Sequence, residues 1–365
     1  MDKKELEFRY IHQFHSGSAY GDAITNYMFK IQEILQDNGY ISDIFVEHVA
    51  PEYEDKLKHL STYEGDQNNL LLIHHSMGFD GFKKIISLPD KKILIYHNIT
   101  PPNFLLSNPT MASYANLGYQ QVEEYKNYVA MALADSEYNR QELYRMGYST
   151  VEVLPIIIDF KKFENAETLE DIVRKFNNKT NLLFVGRIVP NKKQEDILKC
   201  FYYYHKHINK ESNLILIGGY DGFEDYRKYL ENFAEELKIR EQVFLTGRVS
   251  FDELITYYKV ADVFISMSEH EGFCIPLLEA MHFDVPVIAY NAGAIPSTLA
   301  GAGILLSEKN YLEISELINQ IVSNERIKQC IINKQKERLH SYKKEQTDYK
   351  LLQVIKHRFS QLLRI

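Results

Sequence analysis

Short apolar runs alternate with longer amphipathic stretches along the whole chain. In the first half the runs are 8–14, 41–46, 69–75, 91–97, 129–135 and 151–155. In the second half they are 181–187, 213–219, 242–248, 262–268, 286–291 and 303–307. Most are unbroken rather than alternating, the pattern of strands buried on both faces. Between them, segments such as 24–40 and 224–239 repeat apolar residues at three and four, and the first stops at Gly39. Two successive series of strand–helix alternation predict two doubly wound parallel sheets. The spacing places one domain over 1–158 and a second over 159–344, with the boundary where PIIIDFKKF leaves the sixth strand. The stretch 345–365 has helical spacing through Tyr349, Leu352, Ile355, Phe359 and Leu362.

Length agrees with two domains: 365 residues exceed one ordinary core. Hydrophobic residues make up 45% and charged residues 25%, a soluble globular composition. The opening MDKKELEFRY has no apolar h-region, and no run approaches the roughly 20 apolar residues of a membrane span. Cys200, Cys274 and Cys330 are scattered, which argues against a disulfide framework or zinc site and for a cytoplasmic setting. Residues 1–155 hold 13 Lys+Arg against 21 Asp+Glu, while the remainder holds 29 of each. A broad basic surface for nucleic acid is therefore not expected. Lys83, Lys84, Lys91 and Lys92, with Lys350, Lys356, Arg358 and Arg364, could still form a local patch for peripheral contact with a membrane.

Parallel sheets bind ligands beyond the C-terminal ends of their strands. Those ends carry His12, His15 and Gly17, then His74, His75 and His97, then Arg187, Gly218, Gly219, Arg248 and Val249, and finally Glu269 and Glu271.

SEHEGFCIPLLEAM (268–281) is the richest stretch. Pro276 suits the first turn of a helix, so the amides of Gly272, Phe273, Cys274 and Ile275 would line its N-terminus, a ready anion site. Glu279 lies about one turn inside and can reach a ribose diol; Glu271 stays on the loop and can accept from sugar hydroxyls. In FVGRIVPNKKQEDILK (184–199), Arg187 and Lys192 project from a strand-to-helix loop. Two fixed cations there can stabilise the charge that grows on a departing diphosphate, as a metal would. Lys193 reads as plain surface. HSGSAYGDAITN (15–26) turns into a helix N-terminus and could approach phosphate through its backbone. His97, in IYHNITPP (95–102), ends a strand before a rigid loop; it could act as a ligand or acid/base group, or be a satisfied structural histidine.

Together these stretches resemble glycosyltransferase family 4, retaining enzymes with the GT-B fold. The G-R-x-x-x-x-K motif stands as Gly186, Arg187 and Lys192, and E-G-F-G-x-P-x-x-E-A-M as Glu271 to Met281. The cleft histidine corresponds to His97 and the glycine-rich first loop to Gly17–Gly21. The resemblance implies two Rossmann-like domains facing across a cleft, acceptor side first and nucleotide-sugar side second, with the last helix crossing back to the first. It implies that Arg187 and Lys192 bind the diphosphate, that Glu271 contacts the sugar and that Glu279 holds the ribose. Cys274 replaces the second glycine of E-G-F-G, and Asp284 the glycine before P-V-I-A.

No Asp-x-Asp occurs in the chain, which fits a metal-independent reaction without a cofactor. The expected activity moves a hexose from a UDP- or GDP-linked donor to a hydroxyl of a glycan or lipid-linked acceptor, in surface polysaccharide (lipopolysaccharide-type) assembly. A nucleotide-sugar epimerase, a phosphorylase or a non-catalytic nucleotide-sugar-binding protein on the same fold remain the alternatives.

Overall fold

The computed structural model describes residues 8–342 and 344–359. The chain forms two compact units. One runs to Ile158 and resumes at Tyr342; the other is Asp159–Ser341.

The first unit holds seven parallel strands: β1 (Ile11–Gly17), β2 (Ile44–His48), β3 (Lys58–His59), β4 (Leu70–His75), β5 (Lys91–Tyr96), β6 (Met131–Ala134) and β7 (Val151–Val153), in the order β3-β2-β1-β4-β5-β6-β7. β1 begins three residues later than the apolar run and extends past it to Gly17, because Arg9 and Tyr10 are exposed while the polar Gln13 and His15 are buried. β3 was not foreseen: two exposed polar residues at a sheet edge leave no apolar signature. The helix Ala23–Asp37 starts at Asp22, whose carboxylate accepts from the Thr25 amide at 2.8 Å, and its chain turns away at Gly39, φ +85°.

The second unit holds six parallel strands: β8 (Thr180–Val185), β9 (Ser212–Ile217), β10 (Val243–Gly247), β11 (Val263–Ser266), β12 (Val287–Tyr290) and β13 (Ile304–Leu306), in the order β10-β9-β8-β11-β12-β13. Leu182, Phe184, Leu214, Leu216, Ile265 and Ile288 from the strands pack with Phe201, Leu230, Ile314 and Ile318 from flanking helices. Each such side chain contributes roughly 1.5–3 kcal/mol on burial.

Near the C-terminus the helix Lys344–Gln353 passes into a π-helical segment, Val354–Phe359. Its buried positions are Leu351, Val354 and Ile355. Of the expected apolar stripe, Ile355 is buried while Tyr349 is 66% exposed, so the buried face takes in Leu351 and Val354 instead. Leu362 lies outside the described residues.

In each sheet the order reverses once, between β1 and β4 and between β8 and β11. Those switch points part the loops that follow the flanking strands and open a site there.

Candidate functional site

The switch point of the second unit assembles from its glycines. Gly186 and Gly218 have φ of +153° and +151°, and a Cβ on Gly218 would stand 1.9 Å from the Gly186 carbonyl oxygen. The ends of β8 and β9 meet only because Gly218 carries no side chain. Beyond them the Ile188 amide donates to the Gly219 carbonyl at 2.8 Å, so the loop leaves the sheet still tied to it. Gln194 Nε2 donates to the Arg187 carbonyl at 2.9 Å, and the exposed Arg187 guanidinium lies 5.8 Å from the Phe223 ring centroid. A 3₁₀ turn, Pro190–Lys192, then delivers Lys192 before the helix Gln194–Tyr203 begins.

Asn191 joins this loop to the one after β11. Its carbonyl accepts from the Glu269 amide at 2.8 Å, and its buried Nδ2 donates to the His270 carbonyl at 3.2 Å. The result is a direct pair: Lys192 Nζ stands 2.6 Å from Glu271 Oε2, with the carboxylate side chain 8% exposed. The two strongest motifs of the sequence therefore converge on one point. Burial of such a pair costs solvation, which its short charge-assisted hydrogen bond offsets. Burial and the Lys192 charge hold His270 down at about 4. Gly293, φ +55°, lies across the Glu271 backbone; a Cβ there would come within 2.4 Å of the Glu271 carbonyl oxygen.

The helix Ile275–His282 carries Pro276 in its first turn. Its N-cap residue Cys274 adopts φ +72° and makes no side-chain capping bond. This is the conformation a glycine takes without strain, which explains why the related motif has glycine there. Cys274 is half-buried beside Glu271, and desolvation raises its thiol pKa well above the usual range. The Phe273 carbonyl accepts from Thr298 Oγ1 at 2.7 Å, fixing the turn through Gly272. Glu279 accepts from the Tyr258 hydroxyl at 2.7 Å; burial pushes its carboxyl up to about 7, against the pull of that hydroxyl.

One expectation changes here. Lys193 is not plain surface: its φ of +52° starts the helix, and its amine lies 3.4 Å from Glu195 and 3.6 Å from Glu269. Arg248, with Val249 behind it, is engaged by Asp221: Nη2 and Nε reach the same carboxylate oxygen at 2.8 and 3.3 Å.

In the first unit, Gly17 closes β1 opposite His48, and an added Cβ would meet nothing nearer than 3.7 Å. Glycine is not demanded there. The following helix N-terminus is capped by the Asp22 carboxylate, which meets its partial positive charge.

His97 lies at the end of β5 in a buried chain of polar groups. Its Nδ1 is 2.7 Å from Asp135 Oδ2, and its Nε2 is 2.8 Å from His74 Nδ1. His74 Nε2 meets Gln13 Oε1 at 3.0 Å, and Gln13 Nε2 donates to the Met28 carbonyl at 3.0 Å. The side chains of His97 and Asp135 are each 2% exposed. An imidazole so placed has no nitrogen left for a substrate, which corrects the expected acid/base or ligand role of the ring. What the residue can still offer is its backbone. That backbone is set by Asn98, held at φ +71° with its amide donating to Asn139 at 3.0 Å and Glu142 at 2.9 Å. Sequence reasoning missed Asn191, Gly293, Tyr258 and Asp135; only Asn191 sat inside a stretch already under scrutiny.

Both units are doubly wound parallel sheets of the GT-B glycosyltransferase class. HepE of Anabaena in complex with UDP-glucose superimposes with a TM-score of 0.75 at 14% identity, covering 95% of this chain and 99% of that one. WaaG, a glycosyltransferase involved in lipopolysaccharide biosynthesis, gives 0.71 at 10% identity, covering 95% and 100%. The profile of the glycosyl transferases group 1 family matches residues 165–346. An uncharacterized glycosyltransferase of Methanocaldococcus jannaschii is 29% identical over 181 residues, 48% of this chain and 45% of its own length. The GDP-mannose-dependent alpha-(1-6)-phosphatidylinositol monomannoside mannosyltransferase of Mycobacterium tuberculosis is 25% identical over 186 residues, 48% and 47% respectively. The matches thus span about half the length of these curated relatives.

Proposed function

We propose that this protein is a retaining glycosyltransferase that moves a hexose from a UDP- or GDP-linked donor to a hydroxyl of a glycan or lipid-linked acceptor. The observation that carries the reading is the Lys192–Glu271 pair at 2.6 Å, set beside the helix start at Cys274–Ile275. A cation, a sugar-hydroxyl acceptor and helix amides at one point suit a sugar diphosphate. Lys192 and Arg187 stabilise the leaving diphosphate without a metal. Glu271 accepts from the sugar, and Glu279 accepts from the ribose. His97 contributes its carbonyl dipole toward charge developing on the transferred sugar. No carboxylate among the described residues is placed as a covalent nucleophile, so we favour attack from the face of the departing phosphate, whose oxygen takes the acceptor proton.

Support for a hexose donor comes from the family and from neighbours of the same fold, HepE holding UDP-glucose among them. Support for a glycan or lipid acceptor comes from relatives such as the O-antigen chain mannosyltransferase B of Escherichia coli and the alpha-monoglucosyldiacylglycerol synthase of Streptococcus pneumoniae. No helix among the described residues is long and apolar enough to cross a membrane. Work in the cytoplasm, with peripheral contact to a lipid surface where the acceptor is lipid-linked, fits that reading.

The test is incubation with a panel of UDP-, GDP- and ADP-sugars in the absence of acceptor. Slow release of nucleotide and of sugar with unchanged anomeric configuration is expected from one donor family. Binding without any turnover, with or without added glycan and lipid acceptors, would overturn the enzymatic reading.

A further inference from the structure

The hydrogens along the Gln13–His74–His97–Asp135 chain can be counted from one fixed end. The Met28 carbonyl can only accept, so Gln13 must present its NH₂ there and its oxygen to His74. Facing an oxygen, His74 must donate from Nε2. Burial, with His97 and His15 adding to it, holds the His74 pKa well below its ordinary value, so the ring carries one hydrogen and Nδ1 is a lone pair. The two imidazoles are coplanar within 8° and 2.8 Å apart, the geometry of an in-plane N–H···N bond. That bond needs a hydrogen on His97 Nε2. A neutral His97 would then turn a lone pair on Nδ1 toward the Asp135 oxygen 2.7 Å away, and a carboxylate there would be repelled.

We infer that His97 and Asp135 together hold one hydrogen more than a neutral imidazole and a carboxylate, so that the buried pair has no net charge, and that Gln13 and His74 are positioning residues that impose this on His97. A second observation agrees. Asp135 Oδ1 is buried with no hydrogen-bond partner among the described residues, a poor place for an isolated anion. Around the pair, the Tyr27 ring stands edge-on to both imidazoles at 5.8 and 6.0 Å and brings no charge of its own. The consequence rests on the proposed transferase reading: the carbonyl of His97 acts on the sugar as a dipole beside a pair with no net charge.

The test is a ¹⁵N–¹H correlation spectrum of the full chain with ¹⁵N-labelled histidine near neutral pH, assigned by loss of signal in His97→Gln and His74→Gln. Expected are a protonated His97 Nε2 and, on His74, a protonated Nε2 with a lone-pair Nδ1. A lone-pair signal from His97 Nε2 overturns the inference whether or not the protein transfers sugar, so its failure is separable from failure of the transferase reading. Asp135→Asn supplies a kinetic arm, because the asparagine amide can donate to Nδ1 and keep the chain's polarity. With no net charge to remove, kcat should fall by less than about tenfold. Loss of the roughly 10²-fold or more that accompanies deletion of a preorganised charge would show that the pair carries a net charge on which turnover depends, and would overturn the inference.

Discussion

The two switch points share a topology and differ in nearly everything their strand ends carry. In the second unit the ends of β8 and β11 present charge: Lys192, Glu271, Lys193 and Glu269 meet over short distances, and the helix beyond starts at a cysteine with no capping side chain. In the first unit the helix after β1 is capped by Asp22, and histidines at the strand ends bury their ring nitrogens against each other and against Gln13 and Asp135. The parallel sheet decides where a ligand can approach; the side chains decide whether that place offers charge or only shape and backbone. On the proposed reading, one unit holds an anion and the other holds a loop still.

The largest effects should come from breaking the charged side. Lys192→Ala and Arg187→Ala should each lower kcat/KM by at least about 10²-fold in donor turnover, the scale for losing one preorganised charge. Lys193→Ala removes contacts at 3.4 and 3.6 Å that shape the Glu269 loop, so its loss should stay under about tenfold. Equal losses in all three would show that the charges act only as a diffuse field. Next in size is Gly218→Ala, whose Cβ would enter the Gly186 carbonyl at 1.9 Å. Both strand ends must move, and destabilisation well above about 1 kcal/mol follows where alanine cannot take the backbone conformation. Thermal unfolding of this variant should shift downward, and Gly17→Ala, where space is open, should shift far less. Matched shifts would erase the contrast between the two units.

Much of this was legible in the chain because parallel strands buried on both faces read as unbroken apolar runs, and all but one strand announced itself that way. The exception, Lys58–His59, is a polar edge pair that the pattern cannot encode. The meeting of Lys192 with Glu271 was legible in the two motifs, since both follow strands that flank one switch point. What held them together was not. Asn191 works through one backbone carbonyl and one amide, and Gly293 through the absence of a Cβ; neither residue type stands out in a loop. His97 was legible as a strand-end histidine, but its partners Gln13, His74 and Asp135 come from three other strands and their ends, a separation only the folded sheet closes.

A subtler way to sharpen the comparison uses Glu279, whose carboxyl burial lifts to about 7. Below that pH it is protonated and resembles glutamine; above it, it becomes a charged acceptor for ribose hydroxyls. A hydrogen bond to a charged group exceeds a neutral one by about 1 kcal/mol, or roughly fivefold in affinity. The Kd of Glu279→Gln for UDP or GDP, divided by that of the unsubstituted protein, should therefore stay near one at pH 6 and rise by about fivefold at pH 8. Taking the ratio cancels titration of the nucleotide's own phosphate. A ratio that is flat across this range would remove Glu279 from the ribose, while a ratio that falls would mean the protonated acid is the binding form.

The smallest expected effect tests the quiet side directly. Asp22 accepts from the Thr25 amide at 2.8 Å and from the Thr25 hydroxyl at 3.0 Å, so it satisfies the helix start and meets its partial positive charge. Asp22→Ala should cost about 1 kcal/mol of stability, the usual price of a lost N-cap. It should leave UDP and GDP affinity within a factor of about two, since a helix start already occupied by its own carboxylate gives no phosphate contact to lose. Asp22→Asn, which keeps the hydrogen-bond acceptor and drops the charge, should recover most of the stability. Thermal unfolding and nucleotide titration on the three proteins separate the outcomes. Tighter nucleotide binding by the alanine variant would mean that Asp22 competes with phosphate for the same amides. Weaker binding by both variants would place the donor on the first unit after all. Either result would end the division between a unit that holds the anion and a unit that holds a loop.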